Sequence, residues 1–468
     1  MELCDENGLV LAEYPCNNID LLYFMTKADI GGNNTNDVWG WTDELTGKEY
    51  VIVGKTNGTA FVDISDPSNP IYLGDLPTNT VESVWRDIKV CDNYAYIGSE
   101  ASYHGLQIFD LRKLRNISSA TVFEPDVIYD NTSTENVDLK LPYFNTSHNI
   151  VSNEDTKMIY GVGGDTHTMG LNMVDISNPF NPSPKGHFKD GYTHDAQSVL
   201  YNGPDSRYVG KEIVFACNER WISIMDLSDK DNPSVISSTT YDNSQYCHQG
   251  WLTEDHRFFL ANDEKDEYNS VVDNTTTYIF NVENLESPFL LNKYYSTTNS
   301  IDHNLYIRDK IVYQSNYLAG LRLLDISDVE NGNLEEVGYF DILPDTDVNN
   351  STLGTWSNYA YFDSGVVAVT DIKNGLWLLK PRYITLSASS ETICYNDNLV
   401  LSATCLVNIN DIVFEGLPSG VTSTESINNK TAVINLNTFP QIDNQTYNFT
   451  IKINQTYTYD ISVTLSDC

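Results

Sequence analysis

Four of the eight histidines in this chain, His148, His194, His248 and His303, each precede a polar residue (Asn149, Asp195, Gln249 and Asn304) at the head of similar runs. Imidazole suits zinc, copper and iron, and it is the side chain whose protonation changes nearest neutral pH. At the matching places of three further runs we read Trp39-Gly40, Arg86-Asp87 and Trp356-Ser357. Carboxylates recur where the next run ends: Glu100, Asp165, Glu219, Asp263 with Glu264, and Asp371. Two chemistries fit. If the four imidazoles meet at one point they form a transition-metal site, with outer carboxylates fixing the ring tautomers, and the protein is a metal-dependent oxidoreductase or hydrolase. If they only line a wet channel, each bonds a neighbour's backbone and the face is a recognition surface for a protein or a glycan. On that reading Arg86, Asp87, Glu100, Asp165, Asp195, Glu219, Asp263, Glu264 and Trp356 are its contact residues. The sequence has no GxSxG elbow, no HExxH and no phosphate-binding glycine loop, so nucleophilic, zincin-type and nucleotide chemistry lack their motifs.

Repetition must position these residues. The stretch "GLRLLDISD", from Gly320, has near-copies in "GTAFVDISD" from Gly58, "GLQIFDLRK" from Gly105 and "GLNMVDISN" from Gly170, with diverged ones from Trp221, Thr277 and Gly375. Seven units of near fifty residues, each with four strand-like runs, are the pattern of a β-propeller. We name the runs A ("HNIVSN"), B ("MIYGVGG"), C ("GLRLLDIS") and D ("NPIYLGDL"). The C run is apolar almost throughout, which predicts burial between neighbouring blades. The seventh unit stops after "GLWLLKP", and residues 20 to 30, "DLLYFMTKADI", read as its missing D strand. Closing the ring this way removes exposed strand edges.

From about Tyr383 the pattern changes to alternating apolar and polar residues with Asn-rich turns, which reads as a small Ig-like β-sandwich. The expected fold is therefore all-β: an N-terminal cysteine-bearing segment over 1–19, a seven-bladed propeller over 20–382 and a sandwich over 383–468. Strand B runs antiparallel to A, so A starts and B ends on one face of the disc. The long insertions Asp126 to Ser147, Asn262 to Thr276 and Asp341 to Thr355 fall on that face, and variable loops on one face of a repeat disc mark its binding face.

With 27 Lys and Arg against 65 Asp and Glu, the net charge is −38. That surface repels nucleic acid and anionic membranes. It reads as solubility in a salty extracellular setting, with surface calcium as the alternative. The acidic run "NDEKDEYNSVVDN" lacks the glycine and spacing of an EF-hand and reads as a solvated loop. Cys4, Cys16, Cys91, Cys217, Cys247, Cys394, Cys405 and Cys468 form no CxxC motif, so paired disulfides are expected, as in an exported protein, with Cys4 and Cys16 closing a short loop. No run is apolar enough to span a membrane, and "MELCDENG" is not a signal peptide, so we expect a removed leader or a start inside a precursor. A monomer is expected.

The repeats resemble the LVIVD repeat. The strings "NDVWGWTDELTGKEYVIVGKTNGTAFVDISDPSNPIYLGDLPT", "DGYTHDAQSVLYNGPDSRYVGKEI", "CHQGWLTEDHRFFLANDE" and "IDHNLYI" are similar to the choice-of-anchor B family, over roughly residues 1 to 381. The resemblance implies an exported protein held at the cell surface by a C-terminal anchor, and implies no particular activity. No hydrophobic tail or sorting signal follows the sandwich, which departs from that pattern.

Overall fold

The C runs form strands because an unbroken apolar segment of five or six residues can bury both faces only between two sheets. In the computed structural model, Gly320–Asp325 is buried at every position, as is Gly58–Asp63. The structure describes residues 1–130, 144–166, 169–344, 351–388, 392–394, 398–437 and 445–466. They divide into two compact units, one of Met1–Arg308 and Val312–Lys380, the other of Pro381–Cys468 with Asp309–Ile311.

The larger unit is all-β and propeller-like. It holds seven sheets built on antiparallel A-B-C-D ladders, whose A strands are Thr35–Asp43, Arg86–Cys91, Asn149–Asn153, Asp195–Leu200, Cys247–Leu252, Asp302–Arg308 and Thr355–Tyr359. Each A strand packs on the A strand of the next sheet, and the seventh packs on the first. Apolar clusters fill the space between neighbouring sheets. One joins Ile213, Phe215, Ile222 and Ile224 of the fourth sheet to Phe259, Tyr278 and Phe280 of the fifth. Gly320 opens its C strand at φ 74°, where a Cβ would stand 2.1 Å from the Phe340 carbonyl oxygen, so only glycine lets the turn and the D strand approach this closely.

The seventh sheet takes its fourth strand from the N-terminal part of the chain. Ile19–Thr26 lies beside Gly375–Pro381, with the Phe24 ring stacked 4.1 Å from Trp377. Residues Ala28–Ile30 form a 3-10 turn instead of continuing that strand. The segment before it is not separate from the sheets: Tyr14–Asn17 pairs with Glu335–Phe340, and Leu9–Val10 pairs with Tyr14–Asn17. Cys4 and Cys16 form a disulfide. The expectation of general disulfide pairing is corrected, because Cys91, Cys217 and Cys247 are buried thiols. Cys468 lies outside the described residues.

The smaller unit has two four-stranded sheets. One orders Ile384–Ala388, Leu399–Cys405, Thr431–Asn437 and Thr422–Asn428, and the other Thr392–Cys394, Tyr457–Ser466, Thr446–Ile453 and Ile412–Glu415. Alternation buries Leu399, Leu401, Ala403, Ile434, Leu436, Phe449 and Ile451 while their neighbours face outward.

Candidate functional site

The A strands of six consecutive sheets begin with a ring, and all six rings line one cavity of about 790 Å³: Trp85, His148, His194, His248, His303 and Trp356. The imidazoles form a continuous arc, with centroids 4.3 Å apart from His148 to His194, 4.2 Å from His194 to His248 and 4.4 Å from His248 to His303. Trp356 continues it at 4.6 Å from His303. Thr35 of the first sheet completes the wall. Tyr192, Tyr246 and Tyr317 stand against the arc, the last with its centroid 4.8 Å from His303. Two of the long loops reach the cavity, through Lys265 and Tyr268 and through Thr352 and Leu353. Residues 131–143 of the insertion from Asp126, and 345–350 of the one from Asp341, lie outside the described residues.

The backbone sets the tautomers. His194 Nδ1 donates to the His248 carbonyl at 2.9 Å, and His303 Nδ1 donates to the Trp356 carbonyl at 2.5 Å. A carbonyl can only accept, so both rings carry their hydrogen on Nδ1 and keep the Nε2 lone pair for another partner. His148 Nδ1 contacts Glu100 Oε1 at 2.5 Å. His248 Nδ1 lies by the His303 carbonyl without hydrogen-bond geometry, and the Asn262 side-chain amide donates to that carbonyl instead. Burial, and then the neighbouring imidazoles, hold His194 and His248 well below their usual pKa, and burial pushes His303 down to about 3. These three rings are neutral at pH 7.

A depressed folded-state value means that the unfolded chain binds the proton first, so stability is lost as pH falls from 6.5 toward 3. We therefore expect the stability advantage of wild type over His303→Gln, read from urea midpoints, to shrink by about 2 kcal/mol between about pH 7.5 and pH 5. A difference that stays flat with pH contradicts the neutral, buried ring.

The four imidazoles do not close on a single point. Among the described residues, the group whose ligand atoms all lie within 4.8 Å of one another is His248, Glu264 and His303. Tyr317 donates to Glu264 Oε1 at 2.7 Å, and burial raises the Glu264 carboxyl. Two imidazoles and one carboxylate are the donor set of catalytic zinc sites and of non-haem iron sites with open positions. His148 and His194 lie outside this set.

Of the other residues anticipated at this face, Glu100, Glu264 and Trp356 line the cavity. The rest do not line it. Arg86 is buried and donates to the Lys55 carbonyl, to Thr78 and to His104, and burial lowers it to about 10. Asp87 accepts both Lys89 and the Ile150 N–H. Asp165 accepts Asn145 and Thr146. Asp263 accepts the N–H groups of Gln245 and Tyr246 and the Tyr241 hydroxyl, so it holds Tyr246 in place. Glu219 sits in a left-handed turn at φ 58° beside Tyr192 and Tyr246. Asp195 lines a second cavity, of about 570 Å³, at the other end of the A strands with Trp39, Lys89 and Tyr306.

Two placements differ from the sequence reading. Trp39 is not the first-sheet equivalent of the histidines: Thr35, at the start of the strand, holds that place, and Trp39, four residues further along, lines the second cavity. In the second sheet the equivalent is Trp85, one residue before Arg86. The tyrosines were missed, although a signal exists: Tyr192 and Tyr246 each stand two residues before a cavity histidine.

Residues 46–78, 85–111 and 167–190 match the LVIVD repeat model. Curated proteins offer no match. Among solved structures the chain is similar to Raptor of Chaetomium thermophilum, at 11% identity over 78% of this chain and 29% of that one, with a TM-score of 0.50. It is also similar to the periplasmic gluconolactonase PpgL of Pseudomonas aeruginosa, at 10% identity over 64% and 86% with a TM-score of 0.42. A third is a protein from Lactobacillus plantarum, at 11% identity over 79% and 92% with a TM-score of 0.46. The chain spans under a third of the Raptor chain, and a likeness at that identity concerns fold alone. The three matched stretches cover strands of the first, second and third sheets, so this all-β, propeller-like chain carries LVIVD repeats.

Proposed function

We propose that the larger unit is a seven-bladed propeller of an exported protein, and that it binds an extracellular glycan or protein, without catalysis, in the cavity on its long-loop face. The smaller unit is an accessory Ig-like sandwich, and the whole is a monomer of the choice-of-anchor B type. Supporting export are the net charge of −38, the Cys4–Cys16 disulfide and the likeness of "NDVWGWTDELTG" and its companions to that family. The observation that carries the binding reading is the convergence of six rings from consecutive sheets on one concave cavity of about 790 Å³. Neutral imidazoles and tyrosines offer hydrogen bonds without charge, and tryptophan faces offer flat apolar area, the combination that orients a ligand in a largely pre-formed pocket.

A second reading rests on a separate observation, the mutual closeness of His248, Glu264 and His303. There the same cavity is the active site of a metal-dependent oxidoreductase or hydrolase. One experiment addresses both. The full chain is screened on a glycan array and against extracellular proteins with and without EDTA, alongside Trp356→Ala and Glu264→Gln, and its metal content is measured. Capture that survives EDTA and Glu264→Gln but weakens at least tenfold in Trp356→Ala supports the binding reading. Stoichiometric zinc or iron that disappears in His248→Ala/His303→Ala, with capture or turnover lost alongside it, supports the enzyme reading. Capture indifferent to Trp356 overturns the assignment of the cavity.

A further inference from the structure

All seven A strands also contribute to the second cavity, of about 570 Å³, at the end away from the histidine arc. Its wall is aromatic. Tyr306 packs against two indoles, with its centroid 5.6 Å from Trp39 and 5.0 Å from Trp251, both steeply inclined to it. Several polar groups on this wall are unspent. Tyr306 is 2% exposed, and its hydroxyl makes no hydrogen bond among the described residues. Asp195 is 9% exposed. One of its carboxylate oxygens accepts the Ala196 N–H at 2.7 Å, and the other has no hydrogen-bond partner among the described residues. Gln197 accepts the Leu252 N–H at 2.8 Å through its side-chain oxygen, which leaves its amide hydrogens free. The indole N–H groups of Trp39 and Trp251 likewise donate to no atom of the described residues.

Polar groups this deeply buried are unfavourable unless some other molecule completes their hydrogen bonds. Lys89 does not complete them, because its ammonium is spent on both oxygens of Asp87 and on the Ile88 carbonyl. We propose that this second cavity binds a neutral sugar ring. A pyranose has an apolar C–H face, which an indole covers, and a perimeter of hydroxyls that donate and accept at once. Those hydroxyls match the unspent set: Tyr306 does either, Asp195 accepts, and Gln197 and the two indoles donate. A few fixed polar groups amid aromatic walls, in a concave volume of this order, are the makings of a ligand pocket. Charged ligands fit less well. An anionic sugar meets Glu44, Glu154 and Asp155, exposed at the rim, in a chain of net charge −38. An organic cation seeks an aromatic face, but the Lys89 ammonium already lies 4.6 Å from the centre of the Trp39 ring and repels it. The site shares no lining residue with the cavity of the histidine arc, so binding here goes beyond the reading of the first cavity and does not depend on it.

The test labels the full chain with 5-fluorotryptophan and follows it by fluorine NMR, the signals of Trp39, Trp251, Trp85 and Trp356 being assigned from their Trp→Phe variants. The probes are the methyl glycosides of glucose, galactose, mannose and N-acetylglucosamine, with glucuronic acid and tetramethylammonium as charged comparisons. We expect at least one methyl glycoside to shift the Trp39 and Trp251 signals saturably and more tightly than either charged probe. Tyr306→Phe removes only a hydroxyl that no described residue holds, so the melting temperature should stay the same while the affinity read at Trp251 falls about three- to tenfold, the worth of one hydrogen bond. Maltotriose and chitotriose separate the two sources of such a ring: a site for a glycan end binds them at least as tightly as the single ring, and a site for a free sugar binds them more weakly. Trp85 and Trp356 report the first cavity, so shifts confined to them overturn this proposal and leave the reading of that cavity standing. No response at Trp39 and Trp251, a response indifferent to Tyr306→Phe, or tighter binding of glucuronic acid or tetramethylammonium also overturns it.

Discussion

Replacing Lys89 by Met should cost about 3–5 kcal/mol of folding stability, the usual penalty for removing one partner of a buried ion pair. Lys89 Nζ lies 3.0 Å from both oxygens of Asp87, 3.8 Å from Asp37 and 4.6 Å from the centre of the Trp39 ring. Burial works against its charge, yet Asp87 and Asp37 together hold Lys89 above the usual lysine range. The surrounding carboxyls come from different sheets. Burial, then Asp87, raises Asp37 well above the usual range, and burial raises Asp195 to about 7. Asp37 therefore keeps its proton and can donate it to Asp87. Without the ammonium, Asp87 must ionise alone or take up a proton, and three A strands lose their common partner. Urea unfolding measures the loss. The double variant Lys89→Met/Asp87→Asn should recover much of it, since removing both charges of a buried pair is often close to neutral. If Lys89→Met is as stable as wild type, the second cavity keeps this layer hydrated and the pair is a surface one.

The histidine arc was legible in the sequence because repetition did the placing. Residues at one repeat position must occupy one place in each sheet, so four imidazoles on successive A strands had to lie side by side. What repetition could not supply was the approach to a point. That depends on which nitrogen each backbone carbonyl engages and on a carboxylate, Glu264, delivered by a loop instead of a strand. Trp39 was misplaced because the first A strand begins at Thr35, four residues before it, where no ring marks the start, so the conspicuous tryptophan was aligned with the histidines. Arg86 and Asp87 looked like contact residues because charge at a strand start is conspicuous. Both are buried where a ring of strands leaves carbonyls and N–H groups to be satisfied. The acidic run from Asn262 misled in the opposite direction. Composition reports charge but not burial, and the fold buries Asp263, Asp266 and Glu267 of that run.

Deleting residues 1–26 should abolish cooperative folding of the larger unit, because the strand Ile19–Thr26 belongs to the last sheet and seals it against the first. Ile19 is fully buried, with Leu21 and Met25 each 4% exposed. Each such side chain contributes roughly 1.5–3 kcal/mol, so together they approach the 5–15 kcal/mol by which a whole domain is stable. Met25 also packs in one cluster with Val51, Val53 and Ala60 of the first sheet and with Leu376 and Leu378 of the seventh. Its loss loosens the seam where the two meet. Gly375, at φ 132°, brings its strand so close that a Cβ would stand 2.3 Å from the Met25 carbonyl oxygen. With the strand gone, Gly375–Pro381 becomes an open edge and Trp377, now 1% exposed, loses its stacked partner Phe24. Hydrogen exchange is the decisive readout. If the ring folds as one unit, protection falls in every sheet, including Cys247–Leu252 on the far side, and near-UV circular dichroism collapses. A Cys4→Ser/Cys16→Ser variant separates loss of the strand from loss of the disulfide, and it should keep that protection. Opening confined to the sheet of Thr355–Tyr359 would mean that the remaining sheets hold one another without closure, and that the N-terminal strand only covers an edge.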